Sequence, residues 1–125
     1  DGSMTTLHAN NTADALRRLE ILVLMAVDLP VVSIHRQIAS AIDVVVQIRR
    51  LPGGRRMITQ ISEIAGYDPE RKNLIQLDIF RSENDGPLQP TGYLPTFIDT
   101  LVERNLLNLE FLYGNGKNTL SAKTN

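Results

Sequence analysis

The chain contains no cysteine. That removes a disulfide framework and any zinc site built on thiolates, and it suits a reducing cytoplasm. Long apolar runs are also missing. The longest, Ile21 to Val27, falls far short of the roughly 20 residues that a membrane-crossing helix needs, so no transmembrane segment is expected. Charge of neither sign dominates: 13 basic and 14 acidic side chains leave a net −1. This gives no electrostatic reason to expect nucleic acid or a membrane bound through a basic surface. The opening Asp1-Gly-Ser is not a basic stretch leading into an apolar one, so it is not a secretory signal. Two histidines without cysteine support neither a Cys-His nor a Ser-His-Asp arrangement, and His8 and His35 are too few for zinc. No metal site is expected.

A phosphate-binding loop of the Gly-x-x-x-x-Gly-Lys-Ser/Thr type is missing too. Gly116-Lys117 is followed by Asn118, with no glycine opening a loop at the right spacing. Paired acidic residues at the end of an apolar strand, which would hold magnesium, are absent as well. By itself the chain is expected to hydrolyse nothing.

What is present fits one domain: 125 residues, 42% of them apolar and 22% charged. Residues 3 to 8 carry β-branched and apolar side chains and suit a short strand. Ala9 to Thr12 is a turn ending in helix-capping residues, and a helix should run from Ala13 to Ala26. Its second half, Ile21 to Val27, is apolar all round. That half should be enclosed by its own domain or by a neighbour, with the core the preferred reading. Asp28-Leu-Pro30 starts a second helix, with Val31, Ile34, Ile38 and Ile42 as its buried stripe. Val44 to Arg50 and Arg56 to Ile64 should form a hairpin around Pro52-Gly-Gly54. Leu74 to Phe80 alternates, with Ile75, Leu77 and Ile79 on one side and Gln76 and Asp78 on the other. Ser82 to Gly86 is loop. Pro95 opens a last helix to about Asn105, with Phe97, Ile98, Leu101 and Val102 inside. Residues 114–125, small and polar, are expected to be a disordered tail after a domain spanning 1–113.

His8 would sit at the end of the first strand beside Thr5, Thr6, Asn10 and Asn11. Hydroxyls, amides and an imidazole gathered there make a candidate phosphate-contacting site, since α/β proteins bind ligands at strand ends. The plainer alternative is a loop histidine beside threonines chosen for the strand. Arg17 and Arg18 either line a subunit interface or form the solvated face of the first helix. Arg49, Arg50, Arg55 and Arg56 cluster at the hairpin tip, to meet an acidic partner or to protect a strand edge. His35 reads as a packing or surface histidine.

The segment Asp1-Gly-Ser-Met-Thr-Thr-Leu-His-Ala-Asn10 resembles the histidine box of the traffic ATPases of type II and type IV secretion. The stretches that follow, from Ala13 to Met25, Ile34 to Asp43, Val44 to Glu63 and Pro90 to Phe97, are similar to the CpaF-like branch that serves Tad (Flp) pilus assembly. The resemblance implies an α/β fold, the C-terminal part of a RecA-like ATPase domain with helices packed on its sheet. It implies a longer, hexameric protein that hydrolyses ATP with Mg2+ to drive export or pilus assembly, with its P-loop before Asp1. His8 would sense the terminal phosphate, and Thr5 and Thr6 would shape the box backbone. The expected location is cytoplasmic, held at the inner membrane through secretion or pilus platform proteins. The other reading of the same residues is a non-catalytic protein-interaction module.

Overall fold

The computed structural model describes residues 2–108 and 110. Its elements are α1 (Thr12–Ala26), α2 (Val31–Ala41), β1 (Val44–Arg50), β2 (Arg56–Asp68), β3 (Asn73–Ser82), β4 (Leu88–Pro90) and α3 (Ile98–Glu103). The four strands form one sheet in the order β1-β2-β3-β4, and every neighbouring pair is antiparallel.

This corrects the expected fold. A RecA-like α/β sheet is built from parallel strands, and each parallel pair needs a crossover of a dozen or more residues. Here the strands follow one another through short turns, which can only make antiparallel neighbours. Residues 3 to 8, expected as an opening strand, are irregular and exposed and pair with no strand among the described residues. A fourth strand, Leu88–Pro90, was not anticipated; Pro90 within it and Pro87 just before it argue against a strand, and it survives at the sheet edge, where proline is tolerated. The expected tail at 114–125 lies outside the described residues.

Local chemistry explains the elements that were foreseen. Asn11 caps α1, its side-chain oxygen accepting from the Asp14 amide at 2.8 Å, which satisfies one of the free N–H groups of the first turn. Pro30 is the N-cap of α2, and its carbonyl accepts from the Ile34 amide at 3.2 Å. The β1–β2 turn places Gly53 and Gly54 at φ 88° and 89°, a region that glycine enters without steric cost. β2 runs on to Asp68, past the expected end at Ile64, through a bulge: Ile64 pairs with Gln76 and Gly66 with Ile75, leaving Ala65 as the extra residue.

The sheet is covered on both faces. On one, α1 and α2 pack Leu16, Ile34 and Ile38 against Ile64, with Leu19, Val23, Val45 and Leu74 around them. On the other, the segment from Thr91 onward and α3 pack Ile98, Phe97, Tyr93 and Val102 against Ile79, Ile61 and Phe80. Leu101, expected inside with these, is half-buried.

Each face also carries a buried polar cluster, and both start on β2. Ser62 Oγ lies 3.1 Å from Thr12 Oγ1 and donates to Asp78 Oδ1 at 2.6 Å, while Gln76 Nε2 donates to the Thr12 hydroxyl. Gln60 joins by donating to Asp78 and accepting from the Thr12 amide. The alternation expected in β3 is therefore real, and its polar side faces the first turn of α1. Glu63, next along β2, is buried on the opposite face. It accepts from the Tyr93 hydroxyl at 2.7 Å, from the Thr96 amide at 3.1 Å and from the Thr96 hydroxyl. An unpaired buried polar group costs about 1–3 kcal/mol, similar to the roughly 1.5–3 kcal/mol gained by burying one large apolar side chain. In a core this small, satisfying these groups counts as much as apolar area.

Burial pushes the Glu63 carboxyl up, and the hydrogen bonds from Thr96 and Tyr93 outweigh it, leaving its pKa below the ordinary value. Burial and the same contact push the Tyr93 hydroxyl up to about 12. A carboxyl depressed in the folded state stabilises the protein above its unfolded pKa, and that contribution fades as pH falls through the folded value. Denaturant midpoints should therefore separate wild type from Glu63→Gln at pH 7. The gap should close as the solution is acidified below pH about 4, and a constant gap from pH 7 to 3 would contradict the assignment.

Candidate functional site

A cavity of about 580 Å3 forms a groove between residues 3–9 and β1, lined also by Leu16 and Leu19 of α1. Its two walls differ in origin. β1 is an edge strand that pairs with β2 alone. The opposite wall is the irregular leading segment, held at one end: Gln47 Nε2 donates to the Ala9 carbonyl at 2.9 Å. Just beyond, the Asn10 amide donates to Asp14 Oδ2 at 2.9 Å. That bond, with the neighbouring Arg18 guanidinium, holds the Asp14 carboxyl below its ordinary pKa against a smaller effect of burial. Asp14 thus ties the segment to the first turn of α1.

The structure places Thr5, Thr6 and His8 together on the leading-segment wall, all exposed. It does not set them at a strand end, because no strand forms there. Arg17 and Arg18 are not in the groove; they lie exposed on α1, with Arg18 Nε 3.1 Å from Asp14. His35 lies on the buried side of α2, its Nε2 2.8 Å from Glu20 Oε2 and its ring beside Tyr67. Its Nδ1 finds no partner among the described residues. No group of three or more His, Asp or Glu among the described residues is arranged to hold a metal ion.

Two features of the surface were missed in the sequence. One is Gln47, a polar residue in an apolar strand whose side chain anchors the groove wall. The other is the corner where α1 meets α2. The apolar second half of α1, expected to be core, stays open: Leu22 is 55% and Met25 80% exposed, and Ile21, Leu24, Val27, Val31 and Val32 are exposed with them.

The described residues thus form a small antiparallel sheet with α1 and α2 on one face and α3 on the other, a groove beside β1 and exposed apolar side chains where α1 meets α2. The chain is 37% identical over 79 residues to a protein of Sinorhizobium fredii (strain NBRC 101917 / NGR234) named as a probable conjugal transfer protein TrbB. The match spans 60% of this chain and 23% of that protein. No family model matches the chain.

These findings correct the expected identity. The relative's name speaks of conjugal transfer, and nothing in it or in the described residues indicates an ATPase for pilus assembly. The antiparallel meander removes the RecA-like frame that the CpaF-like resemblance implied. No described helix is long and apolar enough to cross a membrane.

The groove's geometry predicts a separation of roles. His8 is exposed and makes no side-chain hydrogen bond among the described residues, so His8→Ala should shift stability by less than about 0.5 kcal/mol. Gln47→Ala should leave β1 in place but speed amide hydrogen exchange in residues 3–9. Unchanged exchange there would show that Gln47 does not hold the wall.

Proposed function

We propose that this chain is a protein-contact domain of a conjugal-transfer protein. It acts in the cytoplasm at the inner membrane, where the longer protein self-associates and docks on membrane-bound partners of the transfer apparatus. One observation carries the reading: in a chain similar to a conjugal transfer protein, seven large apolar side chains crowd the α1–α2 corner and stay exposed. Exposed apolar side chains scattered singly are ordinary, whereas a contiguous patch marks an interaction site. Burying Leu22 or Met25 is worth roughly 1.5–3 kcal/mol each. Several such residues together are comparable to the 4–15 kcal/mol that association costs in lost freedom. The absence of an acidic or basic field suits contact with protein better than with nucleic acid.

The test is plasmid transfer. Cells in which the gene for this protein carries Leu22→Lys and Met25→Lys should show transfer frequency reduced at least about tenfold, with protein abundance unchanged; one lost contact of about 1.4 kcal/mol is a tenfold effect. In parallel, the wild-type protein should sediment as an oligomer, a hexamer being the expected size, and the variant as smaller species. Normal transfer by the variant would contradict the reading.

A further inference from the structure

We propose that the open edge of β1 takes up an extended segment of a partner protein as an added strand, with apolar side chains along the groove and carboxylates at the end that meets Arg50 and Arg56. This surface is separate from the α1–α2 corner, and the proposal stands without it.

The backbone comes first. Among the described residues β1 has a neighbour on one side only, so its other side presents N–H and C=O groups with no ladder partner there, which is a template for a further strand. Natural edges are usually guarded by charge, proline or a bulge. From Val44 to Ile48 this edge has none of these. The bulge in the β1–β2 pair sits on β2, where Thr59 is the extra residue between Gln60, paired with Gln47, and Ile58, paired with Ile48. β1 itself stays regular. Alongside it lies the groove of about 580 Å3, and the leading segment that forms its far wall is tied to β1 at one end by the Gln47–Ala9 hydrogen bond.

Side chains set the occupant's chemistry. On one face of β1, Val44, Val46 and Ile48 form an apolar stripe, with Val46 48% and Ile48 57% exposed. On the other face Leu16 and Leu19 line the groove. A strand laid here would meet apolar surface on both sides. The stripe ends in Arg50. Arg50 and Arg56 are directly opposite one another across the hairpin, an arrangement of like charges that weakens a sheet. Arg55 stands beside them. Arg49 pairs with Asp85 at 2.7 Å, but Arg50, Arg55 and Arg56 form no ion pair among the described residues. Three uncompensated arginines at the end of an apolar edge call for an anion at that end of the occupant. Carboxylates suit them, since guanidinium groups bind carboxylate in a two-pronged fashion.

The experiment uses fluorescent peptides with the sequence Glu-Glu-Glu-Val-Thr-Val-Thr-Val and its reverse, which present the acidic end for either strand direction. The comparison peptides carry lysine in place of glutamate. An acidic peptide should bind the wild-type chain at least about tenfold more tightly than its lysine counterpart. The triple variant R50E/R55E/R56E should reverse that preference. Val46→Lys, on an exposed position, should weaken the acidic peptide about tenfold while circular dichroism stays that of wild type. Amide shifts on binding should concentrate in residues 3–9 and 44–50. Equal binding of acidic and lysine peptides, or an affinity indifferent to Val46→Lys, would overturn the proposal. So would binding to phosphatidylglycerol vesicles with none to either acidic peptide, which would make the arginines a membrane contact. Should the triple variant not fold, Arg56→Gln alone is expected to halve the acidic preference or better, and no change there would count against the proposal.

Discussion

Two consecutive residues of β2 hold the rest of the molecule in place. Ser62 and Glu63 point to opposite faces of the sheet, as strand geometry requires, and both are almost wholly buried. Ser62 reaches through Thr12 into the first turn of α1 and through Asp78 into β3. Glu63 grips the Tyr93 hydroxyl and the Thr96 backbone and side chain. Neither face has a large apolar core of its own, so each layer is located by a polar anchor as well as by packing. Because the side-chain period is two, a one-residue slip of β2 would exchange these anchors and leave both clusters unsatisfied. The register of the sheet and the seating of both outer layers are thus one constraint.

That constraint was partly legible in the amino-acid sequence. The helices, the Pro-Gly-Gly hairpin and the alternation of β3 follow from local signals: a capping asparagine, a proline at a helix start, glycines at a tight turn and a period of two. The stripe at Ile34 and Ile38 pointed inward as expected. Hidden from sequence was the partner of each polar residue. Gln76 and Asp78 read only as the polar side of an alternating strand, whereas Gln76 meets Thr12 across 64 positions of chain and Asp78 joins the same cluster through Ser62 and Gln60. Glu63 gave no sign of its role because Tyr93 and Thr96 lie about 30 residues away. The leading segment misled for the opposite reason. Met4 to His8 has strand-like composition, yet β-structure needs a partner, and composition does not supply one.

The candidate site was legible only as a list. Thr5, Thr6 and His8 do share one wall, but what makes the groove is β1's open edge and the Gln47 anchor, neither of which carries a motif. The same limit explains the corrected identity. A ten-residue polar box resembles many things, while the fold is decided by short connections that force antiparallel neighbours. The exposed apolar side chains where α1 meets α2 carry the proposed contact role, and similarity to a conjugal transfer protein gives that proposal its setting.

The dual anchoring by β2 can be examined by mapping amide hydrogen exchange in Ser62→Ala and Glu63→Gln side by side. The account predicts faster exchange confined to the first turn of α1 and the facing stretch of β3 for Ser62→Ala, and confined to residues 93–107 for Glu63→Gln. If both substitutions loosened the same residues, or if either left its own layer as protected as in wild type, the claim that adjacent side chains of one strand separately fix the two faces would be wrong.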